Sequence, residues 1–335
     1  MDYVLGRPVI KRNGDAVVRL ADDVRRSVAF LGCQSLAEPD RLDPVFGTGF
    51  FVGWEGCCYL VTAGHVVDAL KTNRDDLETG PFGIRLNDSS GNGRVEHQDS
   101  ARFHYHDRYP EIDVAVIEFS PPKWADAIAI PQSVFLSEHL LELKDIGPGD
   151  LAYVVGLFQH LQGTRRNLPV VHTGHLAGYP GDELIPVEGG HHLSGYLVET
   201  NAIPGASGSP VFVRRTLHGV TPSNTQSGLA DAYCYGAAFV LGLWAGSWNE
   251  RIKSNATMPR GMGIVTPAIN IIEVLNMPEL RDRREKRKAK ADKEHAADLS
   301  RAPAAAHVSV DDNPKHQEDF SRLLNVAAKK RGPKG

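Results

Sequence analysis

Between about Val17 and Val265 the chain is a succession of short β-branched or aromatic runs, each bounded by glycine, proline, asparagine or aspartate. Short strands spaced by turn residues are typical of β-sandwiches and β-barrels. Helical periodicity is confined to Gly64–Thr72, which follows a strand, and Pro267–Leu275, which begins at a proline. The sequence therefore predicts an all-β fold with a closing helix. The predicted strands are Ser27–Leu31, Gly49–Gly53, Cys58–Thr62, Gly83–Leu86, Val114–Phe119, Leu151–Gly156, Val170–Ala177, Tyr196–Thr200, Val211–Arg214 and Ala237–Leu243.

A connector over Glu142–Asp150, with glycine and proline at its centre, lies about midway through the β region. We place a lobe boundary there, giving an N-lobe of about 20–143 and a C-lobe of about 144–277, after an N-terminal extension of 1–19. The segment 278–335 has a different composition. From Arg281 onward the chain carries 15 Lys+Arg and 9 Asp+Glu, against 22 and 32 before it. Such a charged segment cannot bury enough apolar surface to offset its ordering entropy, so we expect this basic tail to be helical or disordered.

The composition excludes some classes of protein and site. A formal net charge of -4 gives no general reason to expect nucleic acid as the partner, although the basic tail could bind an acidic partner. No run approaches the roughly 20 apolar residues of a membrane span, and no signal-peptide core is visible, so we expect a cytoplasmic protein. Four cysteines, two of them the adjacent Cys57 and Cys58, indicate reduced thiols rather than a disulfide framework or a metal site.

The strongest signal for chemistry is a glycine-flanked serine in a turn that leads into an apolar strand, at Ile203–Val211. A nucleophilic serine needs an exposed Oγ and nearby amide N–H groups to hold the oxyanion that forms on attack. Gly205 lets the chain curl so that the N–H groups of Gly205 and Ser207 point at one spot, and Gly208 permits close approach of neighbouring backbone. We therefore predict Ser207 as the nucleophile and rank Ser209 well below it; an ordinary turn is the alternative.

A histidine and an aspartate have the settings that such a serine requires. His65 follows an apolar strand and the residues Thr-Ala-Gly, and a strand end holds a general base rigidly while leaving it reachable. Asp113 precedes a run of Val, Ala, Val and Ile, where a partly buried carboxylate needs a partner. A histidine that becomes imidazolium during a reaction is such a partner. For each residue taken alone, a surface histidine and a strand-capping aspartate are the alternatives.

Together the three motifs resemble those of the chymotrypsin/trypsin-like serine peptidase family, in particular its bacterial branch with the HtrA-like (Deg) proteases. The order is His65, Asp113, Ser207, with steps of 48 and 94 residues, in proportions like those of the family. The resemblance covers roughly residues 20–277. It implies two six-stranded antiparallel β-barrels, a short C-terminal helix and a charged, partly disordered tail. Other matching segments are Gly47–Val52, Gly149–Gly156, Ala237–Leu243 and Gly261–Pro267.

The resemblance implies a serine endopeptidase that cleaves protein or peptide substrates through an acyl-enzyme intermediate, with no metal or organic cofactor. Ser207 would attack, His65 would transfer the proton, and Asp113 would orient His65. The amides of Gly205 and Ser207 would form the oxyanion hole. Ala206 stands where digestive members have the aspartate that captures a newly cut N-terminus, so activation by such a cut is not expected. The sequence also shows no counterpart of the peptide-binding domain that follows the protease in HtrA-like proteins.

By the same resemblance, Asn201, six residues before the nucleophile, forms the floor of the primary specificity pocket. Its neutral amide predicts a preference for small or apolar side chains. Ala245, Gly246 and Ser247 stand where family members pair with the substrate backbone as an added strand. The long insertion Thr216–Ala232 would overhang this pocket and could gate substrates.

Two other classes of function stay open at this point. The same fold could be a catalytically silent scaffold that binds protein partners, with the basic tail as an interaction element. Alternatively, the chain could be a nucleic-acid or membrane adaptor led by residues 281–334, although a solvated charge run is the favoured explanation of that segment.

Overall fold

The computed structural model describes residues 6–12, 15–20, 22–72, 80–106, 109, 112–158, 161–179, 185–186, 192–201, 204–216, 238–251 and 257–301. The chain divides into two compact units, residues 1–284 and 285–335. The first unit is mostly β-structure and contains both a closed barrel and a second, eight-stranded sheet. The site predicted from the sequence lies entirely in this unit.

The N-lobe contains an eight-stranded sheet. Its strands follow the order β7-β6-β3-β4-β5-β9-β8, and β10 pairs in parallel with β4. The predicted second β-lobe is therefore present. Its two end strands, β7 beside β6 and β8 beside β9, are consecutive in the chain and are separated only by residues 98–103, so together they are one interrupted strand. The 13-residue β4 has room for a further partner in β10. The strands are β3 (Val28–Gln34), β4 (Leu42–Trp54), β5 (Cys57–Thr62), β6 (Phe82–Asn87), β7 (Gly93–His97), β8 (His104–Tyr105), β9 (Ala115–Glu118) and β10 (Ile130–Pro131), after a separate hairpin of β1 (Gly6–Arg12) and β2 (Asp15–Leu20).

The C-lobe contains the predicted six-stranded barrel. Antiparallel pairing runs round a closed ring in the order β11-β12-β15-β18-β17-β16, and closure leaves none of these strands as a full-length edge. The strands of this lobe are β11 (Leu151–Gly156), β12 (Val170–Gly178), β13 (Ile185–Pro186), β14 (His192–Leu193), β15 (Tyr196–Glu199), β16 (Pro210–Arg214), β17 (Phe239–Arg251) and β18 (Thr257–Pro267), of which β13 and β14 form a separate two-stranded sheet.

Few helices accompany the sheets. The first helix has the predicted bounds, and the helix after Pro267 begins one residue later than predicted. None of the helices in the described residues is long and apolar enough to cross a membrane. The α-helices are α1 (Gly64–Thr72), α2 (Glu138–Leu143), α3 (Ala268–Leu275) and α4 (Pro278–Arg301), with short 3-10 helices at Asp22–Ser27, Ser100–Arg102 and Gln132–Val134.

The main apolar cluster extends across both lobes. It joins N-lobe side chains such as Phe50 and Leu60 to C-lobe side chains such as Tyr153, Phe212 and Leu243. Burial of apolar area stabilises a fold by roughly 25 cal/mol per Å², so a cluster shared by the lobes also fixes their relative position. A second cluster fills the C-lobe barrel. The shared apolar cluster therefore fixes the two lobes on either side of the cleft between them.

A buried arginine adds a polar link between the lobes. Arg85 on β6 is 1% exposed. Its Nη1 and Nη2 donate to the carbonyl oxygens of Gly163 and Thr164 at 2.9 and 2.8 Å, in the loop after β11, and its Nε donates to the carbonyl of Asp40 at 2.8 Å. The guanidinium thus connects the N-lobe sheet directly to a loop of the C-lobe.

Candidate active site

The structure places His65 at the end of a buried strand. β5 is almost wholly buried and ends at Thr62, and α1 begins two residues later at Gly64. A Cβ at residue 64 would stand 3.1 Å from Asp113 Oδ1 and 3.5 Å from Tyr105 Cε1, so a glycine here allows the aspartate to come close. The buried strand fixes the position of His65, and the short turn after it leaves the imidazole half exposed.

Asp113 contacts His65 through both of its carboxylate oxygens. Oδ2 lies 2.7 Å from His65 Nδ1, and Oδ1 accepts a hydrogen bond of 2.9 Å from the His65 backbone N–H. The Asp113 side chain is 16% exposed, whereas the His65 side chain is 50% exposed. The carboxylate is therefore sheltered, while half of the imidazole is exposed. With Nδ1–H given to Asp113, Nε2 is the nitrogen left to act as a base.

The pKa of His65 lies above its ordinary value. Burial of the ring lowers this pKa, but the hydrogen bond to Asp113 and the negative charges of Asp113 and Asp68 outweigh that effect and raise it. These carboxylates stabilise the imidazolium form. The same arrangement would stabilise the positive charge that a general base acquires when it takes a proton.

A second polar group next to this pair was missed by the sequence reasoning. Tyr105 OH donates to Asp68 Oδ1 at 3.1 Å and accepts from Lys71 Nζ at 2.7 Å. Burial, together with Asp68 and Asp113, raises the pKa of Tyr105, so its hydroxyl stays protonated and can donate. Asp68 could have been found from its position three residues after His65 on a helix. Tyr105 could not, because only the sheet brings it to this place.

The serine turn is shaped by two glycines with positive φ. Gly205 has φ 87° and Gly208 has φ 81°. At residue 208 a Cβ would meet Thr48 O at 2.2 Å, Thr62 Oγ1 at 2.3 Å and the backbone nitrogen of Ala63 at 2.9 Å. Only glycine fits such a conformation and such crowding. The turn is therefore packed against the middle of β4 and the end of β5, close to His65 in the chain.

Further contacts tie Ser207 itself to the histidine side of the cleft. The Ser207 carbonyl accepts a hydrogen bond of 2.9 Å from the backbone N–H of Thr48. The position of a Cβ on Gly47 would be 2.7 Å from Ser207 O and 2.8 Å from Val66 Cγ2, so residues 207 and 66 approach the same point. Ser207 thus lies beside the residue that follows His65. Within the described part of the chain, however, no hydrogen bond joins the Ser207 hydroxyl to the imidazole.

The backbone N–H groups of the turn have the setting that an oxyanion site requires. Neither the Gly205 N–H nor the Ser207 N–H donates to an acceptor among the described residues. The Ala206 carbonyl, which shares its peptide group with the Ser207 N–H, accepts a hydrogen bond of 2.8 Å from the Ser209 N–H, and this bond holds the peptide group in place. Backbone N–H groups next to a serine hydroxyl can stabilise a negative oxygen.

Other nucleophile candidates have less suitable surroundings. The Ser209 side chain is 0% exposed, and its hydroxyl has no hydrogen-bond partner in the described structure. Burial raises the pKa of Cys58 to about 11, with a smaller contribution from Cys57, so this thiol stays protonated and unreactive. Ser207, in contrast, is partly exposed at the turn.

The predicted specificity residues lie in two separate places. Asn201 is exposed and lines a cavity of about 490 Å³ together with His175, Glu199 and Met262, among others, but Ser207 is not part of that lining. Gly246 and Ser247 lie on β17, beyond the point at Leu243 where its pairing with β16 ends. They pair with β18 on their other side. Among the described residues, the edge of β17 near Ser207 is therefore open to an added strand; Ala245, also on this segment, is 8% exposed.

Some predicted features lie outside the described residues. Of the insertion Thr216–Ala232, only Thr216 is described, and the tail is described only to Arg301. The acidic partner of the tail therefore stays a prediction. Within the described ranges, no group of three or more His, Cys, Asp or Glu side chains is placed to hold a metal ion.

Comparison with known proteins identifies a family. The family model of the trypsin-like peptidase domain matches residues 47–217, about half of the chain, and this stretch contains His65, Asp113 and Ser207. No curated protein matches. Among solved structures, the apo form of the MamO protease domain from Magnetospirillum magneticum is similar with a TM-score of 0.41 and 13% identity, covering 75% of this chain and 96% of that one. Similarity at this level says nothing about activity.

Proposed function

The chain belongs to the trypsin-like peptidase domain family, and we propose on that basis that it is a serine endopeptidase with His65, Asp113 and Ser207 as its catalytic triad. Its substrates would be proteins or peptides, and the reaction would be acyl transfer to Ser207 followed by hydrolysis. No residue in this scheme calls for a metal or an organic cofactor.

In the proposed mechanism, Ser207 Oγ attacks the scissile carbonyl while His65 Nε2 takes its proton. His65 then protonates the leaving amine, and a water molecule repeats the sequence on the acyl-enzyme. Asp113 holds the imidazole in the tautomer with Nδ1–H and stabilises the imidazolium. The N–H groups of Gly205 and Ser207 hold the negative oxygen of each tetrahedral intermediate.

One observation carries the proposal most: the sheltered carboxylate of Asp113 lies 2.7 Å from Nδ1 of the half-exposed His65 ring. A carboxylate in this position fixes the tautomer in which Nε2 is the base. The crowding of Gly208 against Thr48, Thr62 and Ala63 supports the same reading, since it brings Ser207 to the residues next to His65.

The open edge of β17 indicates how a peptide would be held. An extended substrate can add to residues 245–247 as an antiparallel strand, with main-chain hydrogen bonds giving affinity whatever its side chains. Because Trp244 O accepts from the Gly208 N–H at 2.8 Å, that edge begins next to the nucleophile. A peptide bound there would carry its scissile bond to Ser207.

A catalytically silent scaffold is the second candidate. The observation in its favour is the lack of a hydrogen bond between the Ser207 hydroxyl and His65 among the described residues. This observation does not decide against catalysis, because catalytic hydrogen bonds often form fully only when substrate binds.

Cleavage profiling separates the two candidates. The purified full chain is incubated with a peptide mixture derived from a whole proteome, and newly formed termini are identified by mass spectrometry. We expect termini that appear with the wild type and disappear with Ser207→Ala. The matched control is Ser209→Ala, which removes a buried hydroxyl without a hydrogen-bond partner and should cleave as the wild type does. No cleavage by any of the three folded proteins would favour the scaffold.

A further inference from the structure

A large buried side chain stands next to the serine turn. The backbone N–H of Trp244 donates to Ser209 O at 2.8 Å, and its carbonyl accepts from the Gly208 N–H at 2.8 Å. Residue 244 is therefore bonded to the two residues that follow Ser207. The indole is 1% exposed. Sequence reasoning passed over this residue because it lies just before the predicted substrate strand 245–247.

The indole lies directly on a glycine of the neighbouring strand. A Cβ at residue 263 would stand 1.7 Å from Trp244 Cη2, 2.2 Å from Cζ3 and 2.5 Å from Cζ2. No residue other than glycine fits beneath the ring in this conformation. Because Trp244 pairs with Val265 on β18, residues 244, 263 and 265 share one face of the two strands. The ring extends along that face, from the position paired with Val265 to Gly263.

Buried apolar side chains surround the Trp244 indole. Ala206, which precedes the nucleophile, belongs to the same buried cluster as Trp244, and so do Val198 and Val265. The space behind Ser207, bounded by the serine turn, β15, β17 and β18, is thus a packed volume. It offers no open slot for a long side chain.

The cavity with Asn201 lies beyond this packed volume. Its lining includes Gly261 and Met262, the two residues that precede Gly263. The far end of the indole therefore comes between the serine turn and the cavity. A substrate side chain entering beside Ser207 would meet the ring before it could meet Asn201.

From this packing we infer that Trp244, seated on Gly263, closes the primary specificity pocket and restricts the enzyme to substrates with glycine, alanine or serine before the scissile bond. The inference rests on the proposed peptidase function and deepens it. Trp244 then takes over the size selection that the sequence analysis assigned to Asn201. A pocket that lacks depth rejects larger side chains sterically, and each excess methylene costs about 10-fold or more in kcat/KM.

The test is a series of peptide substrates identical except for Gly, Ala, Val, Leu or Phe before the scissile bond, with kcat/KM measured for each. We expect the wild type to prefer Ala over Phe by about 100-fold or more. Trp244→Val should lower that ratio by at least about 10-fold by opening room behind Ser207, and Trp244→Phe, which keeps an aromatic ring, should give an intermediate ratio. The control Trp54→Val removes an indole on β4 that donates to Asn276 Oδ1 at 3.2 Å and should keep the wild-type ratio.

Labelling with a fluorophosphonate, run on the same samples, separates the possible failures. If the wild type is labelled but cleaves Leu or Phe substrates as well as Ala substrates, the inference is wrong and the proposed function stands. The same holds if labelled Trp244→Val keeps the wild-type ratio. If neither labelling nor cleavage occurs, the proposed function is wrong and the inference falls with it. If Trp244→Val does not fold, the Ala-to-Phe ratios of kcat/KM for the wild type and for Trp244→Phe still test the inference.

Discussion

Asp113 binds the main chain and the side chain of His65 together, accepting from the backbone N–H with one carboxylate oxygen and contacting Nδ1 with the other. This double contact fixes the position of the histidine as well as the orientation of its ring. Loss of the carboxylate should therefore affect both the basicity of His65 and its placement.

The pH dependence of activity should reflect the raised pKa of His65. Because a general base must be neutral, kcat/KM should rise with pH through the pKa of His65, and the acidic limb should have its midpoint above the ordinary value of 6.5. In Asp113→Asn the largest causes that raise this pKa are lost, so the limb should move to lower pH while activity falls by a factor on the order of 10⁴. A pH profile of kcat/KM for the two proteins checks this. An unmoved limb would contradict the role given to Asp113.

Gly208 should tolerate no side chain. Gly208→Ala combines a positive φ of 81° with a Cβ 2.2 Å from Thr48 O, so we expect it to lose more than about 3 kcal/mol of stability. Gly56→Ala is the matched control, since Gly56 has φ 79° but nothing within 4 Å of its Cβ position, and it should lose about 1 kcal/mol. Urea unfolding of both variants gives the comparison. Equal losses would show that crowding at residue 208 is unimportant.

Arg85 should hold the lobes together. Arg85→Met leaves the carbonyls of Asp40, Gly163 and Thr164 without their donor, so we expect a loss of about 3 kcal/mol. The control is Arg26→Met, because Arg26 forms an exposed ion pair with Asp126 at 2.6 Å and such pairs contribute less than about 1 kcal/mol. Unfolding in urea, followed by tryptophan fluorescence, measures both changes. A loss at residue 85 no greater than that at residue 26 would contradict the role of Arg85 in holding the lobes together.

The start of α4 should belong to the folded domain. Arg284 is 5% exposed, and its guanidinium donates to Glu55 Oε2, Tyr59 OH and the Leu275 carbonyl at 2.6 to 3.2 Å. A chain ending after Met277 loses these bonds and should melt at least about 10 °C below the full chain. A chain ending after Arg301 keeps them and should melt as the full chain does. Thermal unfolding of the three lengths decides, and equal melting temperatures would contradict the prediction.

Local patterns predicted the features that depend on local sequence. The bounds of α1 follow from a glycine after a buried strand and apolar positions at helical spacing, and the all-β character of the C-lobe follows from short strands separated by clear turn residues, whereas its six-stranded barrel was implied only by the family resemblance. Positive φ at Gly205 and Gly208 agrees with the conformational demand inferred for the serine turn. These features needed no knowledge of distant contacts.

Features set by distant contacts were not predictable in the same way. β4 runs through Pro44 and three glycines, which ordinarily end strands, because β3 and β5 pair with it on both sides. The sequence reasoning gave only Gly49–Gly53 for it. Likewise, nothing near Tyr105 indicates that its hydroxyl reaches Asp68, and nothing near Trp244 indicates that its ring lies on Gly263. Such contacts arise only when both partners are placed by the sheet.

The most direct measurement for the central claim is the site of covalent labelling. The full chain is treated with a fluorophosphonate, digested, and mapped by mass spectrometry. The account predicts one adduct on Ser207, none on Ser209, and loss of the adduct in His65→Ala, because the hydroxyl reacts only when the imidazole takes its proton. A folded wild-type protein that carries no adduct on Ser207, or labels equally well without His65, would contradict it.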